Sequence, residues 1–331
     1  MAVSIEDIKK LRAMTGAGLA DVKKALTEAE GDFDKAKELL RERGLAIAAK
    51  RSDRETSNGC VLVKKVNDFA AIIALKCETD FVANGADFIK LTSDILDAAI
   101  AAKCHTLDEV KALALGESDV QAAVTQRSGI TGEKMELDGY CVLEGDNIEV
   151  YDHMNKHTLC TMVQLNENNE EAGHKVAMQV AAMRPVALDE SSVSEETKKT
   201  ELEVAVAKTK EELVEKAVNA ALKKAGINPA HVDSEEHIES NTKKGWLTPE
   251  QAEEARNIKK TVGEEKAATL NPTMIQNIAN GRLAKFFKEN CLVDQEFLFG
   301  DGDKQTVAQY LASQSKDLKI VAYKRFTLAA E

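Results

Sequence analysis

The residue types that invite chemistry are six cysteines, at positions 60, 77, 104, 141, 160 and 291, and a pair of histidines, His153 and His157. No two cysteines form a CxxC pair, so neither a zinc knuckle nor a dithiol redox motif is available. The histidines stand four apart, a spacing that sets two imidazoles on one face of a helix, as a zinc site requires. Here the flanking residues read as the end of one strand and the start of another, which removes the shared face. Cys160 follows His157 closely enough to pose as nucleophile and base. Strand alternation nonetheless turns that thiol inward, as a small core residue. The chain lacks GxxxxGK[ST], a GxGxxG after a strand, and GxSxG, so no phosphate loop and no nucleophile elbow is present. No enzymatic constellation, cofactor or metal site is expected.

One stretch remains: Glu78-Thr79-Asp80-Phe81-Val82-Ala83-Asn84-Gly85, joining an apolar strand to a helix. An exposed loop with an aromatic beside an acid reads in two ways. Phe81 can staple the helix start, with Thr79 or Asp80 capping the turn. Alternatively, the ring is a wedge on a rigid elbow, offered to a pocket on another protein.

The surrounding elements follow from periodicity. Residues 1–44 read as three short helices, each with one apolar stripe: Ile5, Ile8 and Leu11; Leu19, Val22 and Leu26; Phe33, Ala36, Leu39 and Leu40. Ser4 and Asp32 suit caps, Gly44 suits a C′ position, and the basic stretch Lys50–Thr56 reads as a linker. From residue 58 the period shortens. Val61, Val63 and the run Phe69–Leu75 predict strands, the second buried on both faces. A helix carrying Phe88, Leu91, Ile95 and Ala99 follows, then strands over 140–143, 148–151 and 158–165, and a helix over 170–183 ended by Pro185. In 188–270, Leu202, Val206, Thr209, Leu213, Ala217 and Ala220 recur at steps near 3.5, and Thr248-Pro249-Glu250-Gln251 is a capping box. That pattern predicts an antiparallel helical hairpin. An amphipathic helix through Phe286-Phe287 and a last strand over 319–326 complete an α+β arrangement.

Composition narrows the function classes. In 331 residues there are 18 Gly and 4 Pro, fewer than the usual combined share of about 12%, which favours helix. Acids outnumber bases 56 to 44, the net charge is −12, and aromatics are 4%. Phosphate affinity comes from Lys and Arg, so direct DNA or RNA binding is disfavoured. The longest apolar run is far short of the roughly twenty residues that cross a bilayer, and the opening residues show no basic-then-apolar leader. A cytoplasmic protein with reduced thiols is expected, with no membrane attachment.

Specific motifs then emerge. Leu11-Arg12-Ala13-Met14-Thr15-Gly16-Ala17-Gly18, continuing to Asp21-Val22-Lys23-Lys24-Ala25-Leu26, resembles the N-terminal signature of the bacterial elongation factor Ts family. Cys77-Glu78-Thr79-Asp80-Phe81-Val82-Ala83 is similar to that family's second signature. His174 through Ala182, and Gly281-Arg282-Leu283, resemble segments of its C-terminal half.

The resemblance implies a ubiquitin-associated-like three-helix module with its linker (1–54). It further implies an N-terminal α+β core subdomain (55–140) and a C-terminal α+β core subdomain (141–331) bearing a helical coiled-coil insertion at about 188–270. It implies a translation factor with no chemistry of its own. The partner would be elongation factor Tu, in GDP-bound and nucleotide-free forms, and the output GDP release. Asp80 and Phe81 would enter near the partner's nucleotide-bound magnesium, with Thr79 and Val82 shaping the loop. Leu11, Arg12 and Leu19 would form the N-terminal contact. His153, His174 and Met178 would form a C-terminal one. The 188–270 stretch is longer than the coiled coil of many members, and no additional C-terminal helix follows the last strand. From the residues alone, a helical scaffold that tethers partners is the competing reading.

Overall fold

The computed structural model describes residues 3–300 and 304–329. Met1 and Ala2 of the opening stretch, and the 331 end of the last expected domain, lie outside the described residues. One compact unit takes the chain to Leu188 and resumes at Gln295; the other is Asp189–Asp294.

The first unit begins with α1 (Ile5–Thr15), α2 (Leu19–Glu28) and α3 (Phe33–Ala49). Ser4 Oγ accepts the Asp7 N–H at 3.0 Å, and Gly16, at φ 68°, ends α1. Leu11, Val22, Ala25, Leu26 and Ala36 are fully buried between the three helices. Ile5, placed on the same stripe by spacing, is instead exposed. Gly44 does not end α3. The helix runs five residues further, because its lost side chain serves packing rather than a left-handed cap. A Cβ on Gly129 would lie 2.3 Å from Gly44 Cα, so the two backbones touch where α3 crosses a helix of the core. The module is docked on the core.

The core opens with β1 (Asn58–Val66) and β2 (Phe69–Cys77), followed by α4 (Asp80–Ala83), α5 (Ala86–Ala101) and α6 (Leu107–Lys111). A two-residue hairpin, β3 (Ala114–Leu115) and β4 (Ser118–Asp119), leads to α7 (Val120–Thr131), which carries Gly129, and to β5 (Met135–Glu144). Strands β1, β2 and β5 form an antiparallel sheet in that order. A second antiparallel sheet holds β6 (Ile148–Asp152), β7 (Leu159–Leu165) and the last strand of the chain. The β2 run is buried on both faces, as its unbroken apolarity predicts. Phe69, Ala71, Ile73, Leu75 and Cys77 face the α5 side with Phe88 and Ile95. Ala70, Ile72 and Ala74 face the second sheet with Cys160 and Met162. Helix α8 (Glu170–Met183) packs on β6 and β7, its Ala177 carbonyl accepting from Thr161 Oγ1 at 2.9 Å.

The second unit contains α9 (Glu195–Lys224), α10 (Glu235–Lys243), α11 (Pro249–Ala268) and α12 (Pro272–Asn290). The Thr248–Gln251 capping box is formed, with both bonds between 3.1 and 3.2 Å. Gly263 of α11 lies over Val214 and Val218, whereas Arg282 of α12 pairs with Glu212. The return limb of the hairpin is therefore two helices in tandem, broken at Pro272, and α12 belongs to it. Ala205, Thr209, Val218 and Leu222 are the buried positions of α9. Of the spacing-derived seam, Thr209 alone is fully buried. The register shifts because successive halves of α9 meet different helices.

Back in the first unit, α13 (Val307–Gln314) precedes β8 (Ile320–Thr327), which pairs with β7. Helices flanking two antiparallel sheets make the α+β fold expected from the sequence.

Candidate functional site

The β2–β5 ladder ends at the Cys77–Met135 pair, and past it the two chains are joined by side chains. The Glu133 carboxylate accepts the Glu78 N–H at 3.2 Å, the Thr79 N–H at 3.1 Å and the Thr79 hydroxyl at 2.6 Å. In return, the Glu78 carboxylate accepts the Lys134 N–H at 2.6 Å. Arg54 donates to Glu78 at 2.8 Å, and Arg51 lies 3.5 Å from it. The Lys134 N–H first, and then Arg54, hold the Glu78 carboxyl below the ordinary glutamate range. Asn58 Nδ2 donates to the Glu78 carbonyl at 2.9 Å, and Asn84 Nδ2 donates to the Asp80 carbonyl at 2.9 Å.

On this frame sits the single turn of α4. Thr79 is its cap, with Oγ1 accepting the Val82 N–H at 3.4 Å. Val82 and Ala83 pack inward against the α5 side of the core. Asp80 and Phe81 point away, and Phe81 is 88% exposed. The residue before the cap is Glu78, so there is no apolar group with which a staple could close. Of the two sequence readings of Phe81, the staple is ruled out by its exposure. The aromatic is left in water on a turn that side-chain hydrogen bonds hold from several sides.

The other expected positions fall into two places. Leu11 is fully buried in the three-helix core, so its role there is packing, while Arg12 and Leu19 are exposed. Met14, unmarked by the sequence reading, is also exposed beside them in the chain. His153 and His174 meet around Tyr151, with ring centroids 5.8 and 5.4 Å from the tyrosine, and the Tyr151 hydroxyl lies 3.1 Å from His153 Nδ1. Met178 lies one turn beyond His174 on α8, partly exposed. Tyr151 and Glu133 are the residues of this candidate site that sequence reasoning misses. Neither sits in a recognisable motif: Glu133 meets the turn from more than fifty residues along the chain, and Tyr151 gathers His153 beside it with His174 of α8. His157 Nδ1 bonds Asp152 Oδ2 at 2.5 Å and does not converge with His153. Among the described residues, no group of three or more His, Cys, Asp or Glu side chains could hold a metal ion.

Comparison with known proteins shows the family. The family model described as Elongation factor TS matches residues 78–330, about three quarters of the chain, starting at the residue that opens the turn. The chain belongs to the elongation factor Ts family. Over 332 residues spanning the whole of both chains, it is 63% identical to a protein named Elongation factor Ts from Bacteroides fragilis. A protein of the same name from Parabacteroides distasonis is 60% identical over 331 residues, and one from Porphyromonas gingivalis 39% over 333, again at full coverage. The full-length elongation factor Ts relatives extend the match through α1–α3, which lie before the family-model region.

Proposed function

We propose that the protein is a translation elongation factor of the cytoplasm that binds elongation factor Tu, in its GDP-bound and nucleotide-free states, and promotes GDP release. The observation that carries the reading is Phe81. A ring 88% exposed, on a turn fixed by hydrogen bonds from three other segments, is pre-organised for insertion into a partner. Asp80, exposed beside it, adds a negative charge where a magnesium ion and its ligands would be approached. Arg12 and Leu19 on the N-terminal module, and the His153–Tyr151–His174 cluster with Met178, are the proposed further contacts.

No covalent step is needed. Magnesium in P-loop GTPases is held by a Ser/Thr and an Asp and bridges the nucleotide phosphates. A wedge that displaces those supports weakens nucleotide binding. Linkage then requires that nucleotide weaken the factor's binding by the same ratio, so fresh nucleotide expels it. The protein is in this reading a binding protein whose output is a rate. No described helix is long and apolar enough to cross a membrane.

The test is direct. Elongation factor Tu loaded with a fluorescent GDP analogue is mixed with excess unlabelled GDP, with and without a catalytic amount of this protein. Faster decay of the signal at each increment of protein is expected. A decay that does not respond to the added protein refutes the reading.

A further inference from the structure

The turn that presents Phe81 has too few internal bonds to hold itself. A four-residue helix is below the length at which helix formation sustains itself, since nucleation fixes several dihedrals for one hydrogen bond. Its conformation must be imposed from outside, and one side chain does most of this. Glu133, just past the C-terminal Gly132 of α7, binds two backbone N–H groups and a hydroxyl of the turn. The hydroxyl matters most. Because Thr79 Oγ1 spends its proton on Glu133 Oε1, its lone pairs are left for the Val82 N–H. The carboxylate thus orients the cap, and the cap orients the residues on either side of Phe81.

We propose that Glu133 is the positioning residue for the Phe81 turn, holding it in the partner-competent conformation before any partner arrives. The proposal rests on the exchange reading above for its functional consequence, and on the free protein alone for its structural one. Glu133 does not touch the partner. Without it the turn samples other conformations, and the apparent affinity falls by the fraction of time the competent one is populated. The saturated complex, in which the partner itself holds the turn, is unaffected.

The experiment compares Glu133→Ala with Glu133→Gln, each alone and in a Phe81→Ala background. The glutamine retains an oxygen for the two N–H groups and an amide that can donate to Thr79 Oγ1. In the free protein, amide hydrogen exchange at Thr79, Val82 and Ala83 should rise at least tenfold in Glu133→Ala and stay near the parent in Glu133→Gln. In the exchange assay, the concentration of Glu133→Ala giving half-maximal GDP release should rise by about tenfold, with the maximal rate retained. Glu133→Gln should remain within about threefold. In the Phe81→Ala background the Glu133→Ala effect should largely vanish, since both act through one ring.

A loss of folded protein would instead lower activity equally in both backgrounds and change no amide selectively. Unchanged protection of the three amides, or an undiminished effect without the Phe81 ring, overturns the proposal. Failure of the parent protein to speed GDP release from elongation factor Tu overturns the exchange reading, and the amide measurement still decides whether Glu133 holds the turn.

Discussion

Removing the Phe81 ring should separate binding from stability, because the ring has almost no part in the free fold. Fully burying a phenylalanine side chain is worth about 1.5–3 kcal/mol. With the ring 88% exposed, roughly seven eighths of that is still to be gained on complex formation, about 1.3–2.6 kcal/mol. At 1.36 kcal/mol per tenfold, Phe81→Ala should slow GDP release at limiting concentrations by roughly 10- to 80-fold. The remaining eighth, about 0.2–0.4 kcal/mol, is all the free protein loses, so its melting temperature should fall by less than about 2 °C. The assay is stopped-flow fluorescence of GDP-loaded elongation factor Tu, paired with calorimetry on the same preparation. Phe81→Leu should recover part of the rate. A Phe81→Ala protein that melts normally and speeds GDP release from elongation factor Tu to within twofold of the parent refutes the wedge. One that melts many degrees lower would show that the ring is packed in solution.

Three further outcomes follow from the packing. Gly129→Ala forces a methyl to within 2.3 Å of Gly44 Cα, so α3 must lift from α7; a loss of about 1–3 kcal/mol is expected, with faster proteolysis near Lys50–Arg54, and unchanged cleavage would show that the crossing constrains nothing. Replacing 189–294 with a short Gly-Ser linker should leave a cooperatively melting first unit, since Gln295 Nε2 donates to the Met183 carbonyl at 3.2 Å and so ties together the chain before and after the excision. Removing only 188–270 should fare worse, because Ile275, Ala279 and Phe287 of α12 are buried and would lose the facing α9. Burial pushes the thiols of Cys60 and Cys77 up to about 12, leaving at pH 8 about one part in 10⁴ as thiolate. Both should therefore resist a thiol reagent until denaturant is added, and rapid labelling of the native protein would contradict their burial.

Much of this was legible where a local pattern decides the outcome. The apolar run of β2, the 170–183 helix and the Thr248 capping box each carry their own instruction, a period or a cap, within a few residues. Phe81 was legible only as a choice between two roles. Deciding it takes the knowledge that Glu78 precedes the cap and that Val82, not Phe81, turns inward. Gly44 misled because a glycine near a helix end normally marks a stop, and its actual reason is Gly129, far along the chain. Glu133 and Tyr151 were invisible for the same cause. A carboxylate that completes a strand end, or a ring that gathers two histidines, has no signature until the fold brings its partners in. The α9 seam was half right: the spacing reports an apolar face, but not that the facing limb breaks at Pro272 and changes which residues it covers.

The Gly44–Gly129 contact has a kinetic consequence for the two contact surfaces proposed above. A module on a slack tether presents its second surface at an effective concentration set by the random walk of the linker, of millimolar order for short flexible links. A module clamped on the core, helix backbone to helix backbone, presents both surfaces as one body. The first encounter then leaves little translational or orientational freedom to lose at the second. On the proposed contacts, departure also becomes stepwise: a partner that lets go of the Phe81 turn would still be retained at α1 and α2. An incoming nucleotide would, in that reading, compete with one contact at a time, and the complex could be dismantled without any single event breaking its whole surface.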